Sequence, residues 1–165
     1  MTRIVIVDEA DTPIGLKERD EIQPDDIYRV SAIWITNSKG DILMAQRAFT
    51  KKHSPGRWGA AVVGTVDEGE DYLDNAVKEA QEEICLNIDP AVLTKGPHQK
   101  ICQPYRNFFC QWYFYTTDIP VENLTRKEDE VAEIRWMTRD AVQEMVETEP
   151  NVLVESVQTW IRDVL

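Results

Sequence analysis

Hydrophobic and polar residues along this chain fall into short apolar runs separated by polar turns. A β-branched run at residues 4–7 ends at Asp8, and the turn-prone Asp11-Thr12-Pro13 follows, with an apolar partner near Ile14. This pattern predicts a strand, a bend and a second strand at the start of the chain.

A second hairpin is predicted between residues 29 and 46. Residues 29–36 are apolar and rich in β-branched side chains, residues 37–40 have turn composition, and residues 42–46 are apolar again. The polar segment 50–59 contains proline and glycine, so we expect an exposed loop there. Three later apolar runs predict further strands at residues 60–63, 108–116 and 131–136.

A helical period appears at residues 71–86. The apolar positions of this segment recur every three or four residues and form one stripe: Leu73, Ala76, Val77, Ala80 and Ile84. Two more helices are expected at residues 139–147 and 152–164. Because strands and helices show no regular alternation, we predict an α+β fold with a mixed sheet, in a single domain over residues 1–165.

The charge balance excludes one class of partner. With 18 basic and 30 acidic residues the chain has a formal charge of −12, which argues against nucleic acid as the main partner. Such an acidic protein needs a metal ion or a local cluster of Arg and Lys to bind phosphates. No apolar stretch approaches the length of a membrane span, so we expect no membrane partner.

The cysteines and the N-terminal residues give information about the cellular compartment of the protein. Cys85, Cys102 and Cys110 have neither CxxC spacing nor companion histidines, so a disulfide framework and a zinc site are both disfavoured. Cys85, at the end of the apolar helix stripe, is expected to be a small buried hydrophobe. The short apolar run at the start is interrupted by Asp8, unlike a secretory signal. We therefore expect a cytoplasmic protein.

Three glutamates on the predicted helix are candidates for chemistry. At about 100° per residue, Glu79, Glu82 and Glu83 lie on an arc of about 100° beside the apolar stripe. Like charges at these spacings destabilise a helix, whereas a divalent cation with oxygen ligands reverses the effect. The alternative is a solvated acidic face without any ligand.

The surrounding residues resemble the Nudix box, G-x5-E-x7-R-E-U-x-E-E-x-G-U, where U is apolar. Here Gly64 is followed by five residues, Glu70, seven residues and then the segment 78–86, which reads KEAQEEICL. Segments 37–40, 46–48 and 55–58 are also similar to the Nudix branch related to isopentenyl diphosphate isomerase. The resemblance implies a Nudix α/β/α sandwich that hydrolyses a diphosphate linkage in a small molecule.

The resemblance also implies roles for individual residues. Glu79 and Glu83 would bind Mg²⁺ or Mn²⁺ directly, Glu82 directly or through water, and Gly64 through its carbonyl oxygen. The metal would lower the pKa of a bound water, which a carboxylate then deprotonates. Further expected site residues are Glu70 and Lys78 as braces of the loop, Glu130 as an additional ligand from a later loop, and Arg47, Arg57 and Trp58 as substrate contacts.

Two residues depart from the box. Lys78 replaces an arginine that would grip Glu70 through a planar fork, and Cys85 replaces a glycine suited to a left-handed helix end. These departures keep open a second reading, a catalytically weak nucleotide sensor. The histidines His53 and His98 are expected in loops, and a homodimer is the general expectation for oligomeric state.

An isomerase is the remaining alternative. That reaction needs a cysteine before the motif glycine, a histidine after it, and a second histidine before the first core strand. The corresponding residues here are Val63, Thr65 and Tyr28; valine cannot transfer a proton, and threonine is a poor substitute for a metal-binding imidazole. Isomerisation of isopentenyl diphosphate is therefore disfavoured.

Overall fold

The structure, a computed structural model, describes residues 2–164, with side chains described up to residue 161. The strands are β1 (Arg3–Val7), β2 (Pro13–Glu18), β3 (Ile27–Thr36), β4 (Ile42–Arg47), β5 (Trp58–Ala60), β6 (Val62–Thr65), β7 (Thr94–Gln103), β8 (Arg106–Thr116) and β9 (Val131–Met137). The helices are α1 (Tyr72–Ile84), α2 (Arg139–Thr148) and α3 (Glu155–Val164). None of the helices in this part of the chain is long and apolar enough to cross a membrane.

Strand β3 is the centre of a mixed sheet. It pairs in parallel with β8 along its whole length, and antiparallel with β1 and then with β6. Strand β7 pairs antiparallel with β8, while β4 pairs antiparallel with β9 and β5. Parallel and antiparallel pairs in one sheet, together with three helices, confirm the predicted α+β class.

The predicted antiparallel hairpin of β3 and β4 forms, but it is very short. The turn forms where expected, since the Gly40 amide donates to the Asn37 carbonyl at 3.0 Å, but the two strands share only the pair Thr36 and Ile42. Beyond that pair, β6 pairs with β3 at residues 30–33, and β4 turns to β9. Both strands are almost fully buried, so their partners are chosen by long-range packing.

Alternate residues of β3 face two different cores. Ala32 and Trp34 pack in the core that includes residues of α2 and α3, whereas Ile33 and Ile35 pack in the core that includes Ala80 of α1. This period of two follows from the pleat of the strand. The molecule is consequently a three-layer α/β/α sandwich with one helix layer on each face of the sheet.

Strand β7 was not predicted. It is an edge strand with one buried residue, Ile101, and it contains Gly96 and Pro97, so its sequence lacks an apolar alternation. His98 therefore lies in a strand, where it stacks on Phe109 at a centroid distance of 5.2 Å. The predicted loop 50–59 is also shorter than expected, because Trp58 already belongs to β5.

Helix α1 begins and ends through local contacts. The Asp71 side chain accepts hydrogen bonds at 2.8 Å from the amides of Leu73 and Asp74, which is a standard N-cap. At the other end Cys85 adopts a left-handed conformation with φ of 53°, and its amide donates to Gln81. The helix thus ends as it would with the motif glycine. The expectation that Cys85 is buried is wrong, since its side chain is exposed.

Candidate active site

Helix α1 packs against strand β6, where Gly64 leaves room for one of the helix side chains. A Cβ atom built on Gly64 would overlap Cγ, Cδ and Oε1 of Glu79, so the Glu79 carboxylate occupies the space that any larger residue would need. The pKa of Glu79 is raised to about 7, mainly by burial and also by the charge of Glu82, while Lys78 opposes the shift.

Asn75 anchors this contact and was missed by the sequence analysis. It is fully buried, accepts a 2.5 Å hydrogen bond from Ser31 Oγ, and donates to the Thr65 carbonyl at 3.0 Å. Its amide also donates to Glu79 at 3.5 Å. A lone asparagine beside an apolar stripe carries no local signal of such a role, because all of these partners except Glu79 are distant in the sequence.

Glu83 forms the second half of a carboxylate pair. Its Oε2 accepts a hydrogen bond from the Val63 amide at 3.2 Å. The pKa of Glu83 is raised to about 8, mainly by burial and also by the charge of Glu79. Two neighbouring carboxylates that are costly to ionise are a suitable place for a cation, which stabilises the charged form of both.

Glu82 lies apart from this pair. Its side chain is exposed, and it influences the pair through its charge. Within residues 2–164, no three acidic, histidine or cysteine side chains are arranged closely enough to hold an ion by themselves. Magnesium is commonly bound by one or two carboxylates that are completed by water and substrate phosphate. The pair of Glu79 and Glu83 fits that mode of binding.

Lys78 holds the loop that precedes α1. Its Nζ lies 2.9 Å from Asp67 Oδ2 and 2.7 Å from Glu70 Oε1, so one ammonium bridges two carboxylates. Burial opposes the charge of Lys78, but the hydrogen bonds to Glu70 and Asp67 outweigh it and raise the pKa of Lys78. Glu70 also accepts from Asn75 at 3.0 Å. Lysine therefore fills the bridging position that the motif gives to arginine.

Glu130 approaches from the loop before β9. Its carboxylate forms an ion pair with Lys51, and its carbonyl oxygen accepts from the Ala48 amide at 2.9 Å. The charge of Glu130 also raises the pKa of Glu83, so the two carboxylates interact electrostatically. Its role as a metal ligand stays a prediction.

Arg47 interacts through its charge with Glu83, Glu130 and Arg106. Its Nε donates to the His53 carbonyl at 3.1 Å. Burial lowers the pKa of Arg47, the charge of Arg106 lowers it further, and Glu83 and Glu130 act in the opposite direction. Arg47 thus interacts through its charge with Glu83, and its role as a substrate contact stays a prediction.

Arg57 and Trp58 make contacts elsewhere. Arg57 Nη1 lies 3.4 Å from Glu155 Oε1 at the start of α3. The Trp58 ring packs under the Arg135 guanidinium, 5.2 Å from its centroid, and lines a groove of about 580 Å³ beside α2. Their roles as substrate contacts stay predictions.

The residues at the isomerase positions share one face of the sheet. Val63 lies opposite Ala32 and Thr65 lies opposite Val30, so both point to the same side as Tyr28. Val63 is 39% exposed there. This face of the sheet therefore carries an aliphatic, a hydroxyl and a phenol group at the three positions where isomerisation requires a thiol and two imidazoles.

Comparison with known proteins identifies the family. The NUDIX domain matches residues 27–156. The chain is similar to an uncharacterized Nudix hydrolase of Pseudomonas aeruginosa, with 32% identity over 135 residues that cover 81% of this chain and 77% of the relative. It is also similar to an isopentenyl-diphosphate Delta-isomerase of Pectobacterium atrosepticum, with 34% identity over 87 residues that cover 52% of this chain and 49% of the relative.

Solved structures show the same fold. A protein of Deinococcus radiodurans superimposes with a TM-score of 0.80 at 20% identity, covering 98% of both chains. An Ap4A hydrolase of Caenorhabditis elegans superimposes with a TM-score of 0.58 at 15% identity, covering 82% of this chain and 95% of that one.

The chain belongs to the NUDIX family. The match confirms the predicted family, its α+β Nudix fold and the class of Nudix-type pyrophosphate hydrolase. Members of this family generally act on small-molecule diphosphates with the help of divalent metal ions.

Proposed function

We propose that this protein is a Mg²⁺- or Mn²⁺-dependent hydrolase that cleaves the diphosphate linkage of a nucleoside diphosphate derivative or a related organic diphosphate. The observation that carries the proposal is the packing of Glu79 on Gly64, with Glu83 as a second half-buried carboxylate beside it. The metal would neutralise phosphate charge and lower the pKa of the attacking water.

Each residue of the box then has a part in the reaction. Glu79 and Glu83 hold the ion together with the Gly64 carbonyl, and one carboxylate of the group accepts the proton of the attacking water. Exposed Glu82 acts through water at the edge of the site. Lys78 keeps the loop from residue 64 to α1 in place through its bridge to Asp67 and Glu70.

Residues outside the box complete the site. Glu130 supplies an additional carboxylate that Lys51 holds in position. Arg47 binds phosphoryl oxygens, which a guanidinium does through paired N–H donors. Arg57 and Trp58 contact the part of the substrate that lies beyond the diphosphate. The absence of disulfides among three free cysteines supports a cytoplasmic location, and a homodimer is the proposed assembly.

A panel of assays tests this function. Purified protein is incubated with nucleoside diphosphate derivatives and Mg²⁺, and the release of phosphate or mononucleotide is measured for the wild type, Glu83→Gln and the surface control Glu122→Gln. We expect metal-dependent turnover that falls by about 100-fold or more in Glu83→Gln and is unchanged in the control.

Other outcomes favour the alternatives. Thermal stabilisation by a nucleotide without any turnover would support the sensor. Conversion of isopentenyl diphosphate to its isomer would support an isomerase, despite Val63, Thr65 and Tyr28 at the positions of the isomerase cysteine and histidines.

A further inference from the structure

Arg106, at the start of β8, is a half-buried cation whose described partners are neutral. Its Nε donates to Gln103 Oε1 at 2.7 Å. Its guanidinium lies over the rings of Tyr105 and Phe108, at 5.7 and 5.2 Å from their centroids. These contacts fix the orientation of the side chain without balancing its charge.

Arg47 and Arg106 share this lack of a counter-ion. Within the described residues, neither has a carboxylate oxygen within 4.0 Å. Exposed Arg126, which donates to the Ala132 carbonyl, is also without one in this part of the chain, whereas five other arginines of this acidic chain do have such a partner: Arg3, Arg19, Arg29, Arg57 and Arg135. Holding two like charges together in a half-buried region is unfavourable unless an anion binds between them.

The two arginines are joined by a chain of contacts. Arg47 donates to the carbonyl of His53, and the His53 ring stacks on Tyr105 at 5.5 Å with an interplanar angle of 3°. Tyr105 in turn lies under the guanidinium of Arg106 and donates to Glu155 Oε2 at 2.5 Å. The loop after β4 and the turn before β8 are therefore held against each other, with one guanidinium contributed by each side.

The two arginines are connected electrostatically to the carboxylate pair of Glu79 and Glu83. The charge of Glu83 raises the pKa of Arg47, and the charge of Arg106 lowers it. Arg106 lies over the Phe108 ring, which stacks on Tyr28 at 5.8 Å, and Tyr28 lies on the sheet face where Val63 is exposed. Arg47 and Arg106 thus extend the positively charged part of the site from Glu83 towards the turn before β8.

We propose that Arg106 is a substrate-binding residue that contacts the phosphate group remote from Glu79 and Glu83, while Arg47 contacts the oxygens between the two phosphates. The inference rests on the proposed function and extends it to a residue outside the Nudix box. A guanidinium is suited to this role because its donors match the geometry of phosphate oxygens.

The test measures anion binding apart from turnover. Inorganic pyrophosphate is titrated into the wild type, Arg106→Gln, Arg106→Lys and Lys39→Gln by isothermal titration calorimetry in the presence of Mg²⁺. Lys39→Gln is the control, because it removes the same charge from an exposed turn. Thermal melting establishes that each variant is folded.

We expect Arg106→Gln to weaken pyrophosphate binding at least about tenfold and Arg106→Lys to weaken it less, with Lys39→Gln unchanged. With a hydrolysed substrate, Arg106→Gln should raise KM more than it lowers kcat. Equal affinity in wild type and Arg106→Gln, an equal loss in Lys39→Gln, or no binding to the wild type would overturn the inference. Wild-type turnover that persists in those cases leaves the proposed function intact, whereas absent turnover with tight binding contradicts the function alone.

Discussion

The Glu79 carboxylate lies on the backbone of Gly64, so that strand β6 and helix α1 meet through the space that a side chain would otherwise fill. This contact fixes where the carboxylate pair stands relative to the loop that follows Gly64. It also explains in physical terms why a motif of this kind requires glycine at its first position.

Gly64→Ala should therefore inactivate the enzyme while leaving the fold largely in place. The added methyl group displaces Glu79, and a displacement of about 1 Å in a catalytic group costs about 100-fold in rate. The measurement is kcat/KM with Mg²⁺. Gly15→Ala is the matched control, since a Cβ at that position meets nothing within 4 Å. Comparable activity in the two variants would contradict the role of the contact.

The carboxylate pair of Glu79 and Glu83 should make the folding stability of the metal-free protein depend on pH. The folded-state pKa values of about 7 for Glu79 and about 8 for Glu83 exceed the ordinary value of 4.5. A raised carboxylate pKa means that the folded state retains protons that the unfolded state has released. The contribution of these two carboxylates to the unfolding free energy is therefore fully present below about pH 4.5 and is lost as the pH rises towards 8.

Thermal melting in chelator between pH 5 and 8 measures this effect. The wild type should lose several degrees in Tm over this range, and Glu83→Gln should lose less, because it removes one of the two titrating groups. Glu122→Gln should follow the wild type. A profile for Glu83→Gln as steep as that of the wild type would show that Glu83 is not the source of the dependence.

The charge of Lys78 is needed to hold the loop. Lys78→Met leaves the half-buried carboxylates of Asp67 and Glu70 without their shared cation, and we expect a loss of about 2 kcal/mol of unfolding free energy. Lys78→Arg keeps the charge and should lose much less. Urea unfolding of both variants measures the difference, and equal losses would indicate that packing rather than charge determines the effect.

Cys85 occupies a position that favours glycine. Its φ of 53° is strained for a residue with a Cβ, and its side chain is exposed, so little packing is lost on removal. Cys85→Gly should raise the unfolding free energy by about 0.5–1 kcal/mol. Cys102→Gly, in the extended strand β7, should have the opposite sign. A destabilised Cys85→Gly would refute this account of the helix end.

Local patterns predicted part of this molecule well. Helix α1 and its glutamates could be located because their spacing is a short-range property, and the turn at residues 37–40 could be located from its composition. The partner of β4 could not be predicted in this way, because β9 lies about ninety residues further along the chain. Strand β7 was missed since an exposed edge strand needs no apolar alternation.

In the candidate site, too, locally encoded residues were predictable from the sequence and residues that depend on distant segments were not. The box residues were predicted from a local motif, including Lys78, whose two ion pairs show that it replaces the motif arginine effectively. Asn75 and Arg106 were not predicted, because each acquires its environment from distant segments. Arg106 is half-buried and, like Arg47, has no nearby carboxylate among the described residues, a combination that no sequence pattern reveals.

The most direct test of the account is the binding of Mn²⁺ measured by electron paramagnetic resonance on the free ion. Wild type, Glu79→Gln, Glu83→Gln and the exposed control Glu122→Gln are titrated at pH 8, where the carboxylate pair is ionised more fully. The account predicts that each substitution in the pair weakens Mn²⁺ binding at least about tenfold and that Glu122→Gln leaves it unchanged. Equal Mn²⁺ affinity in all four proteins would contradict it.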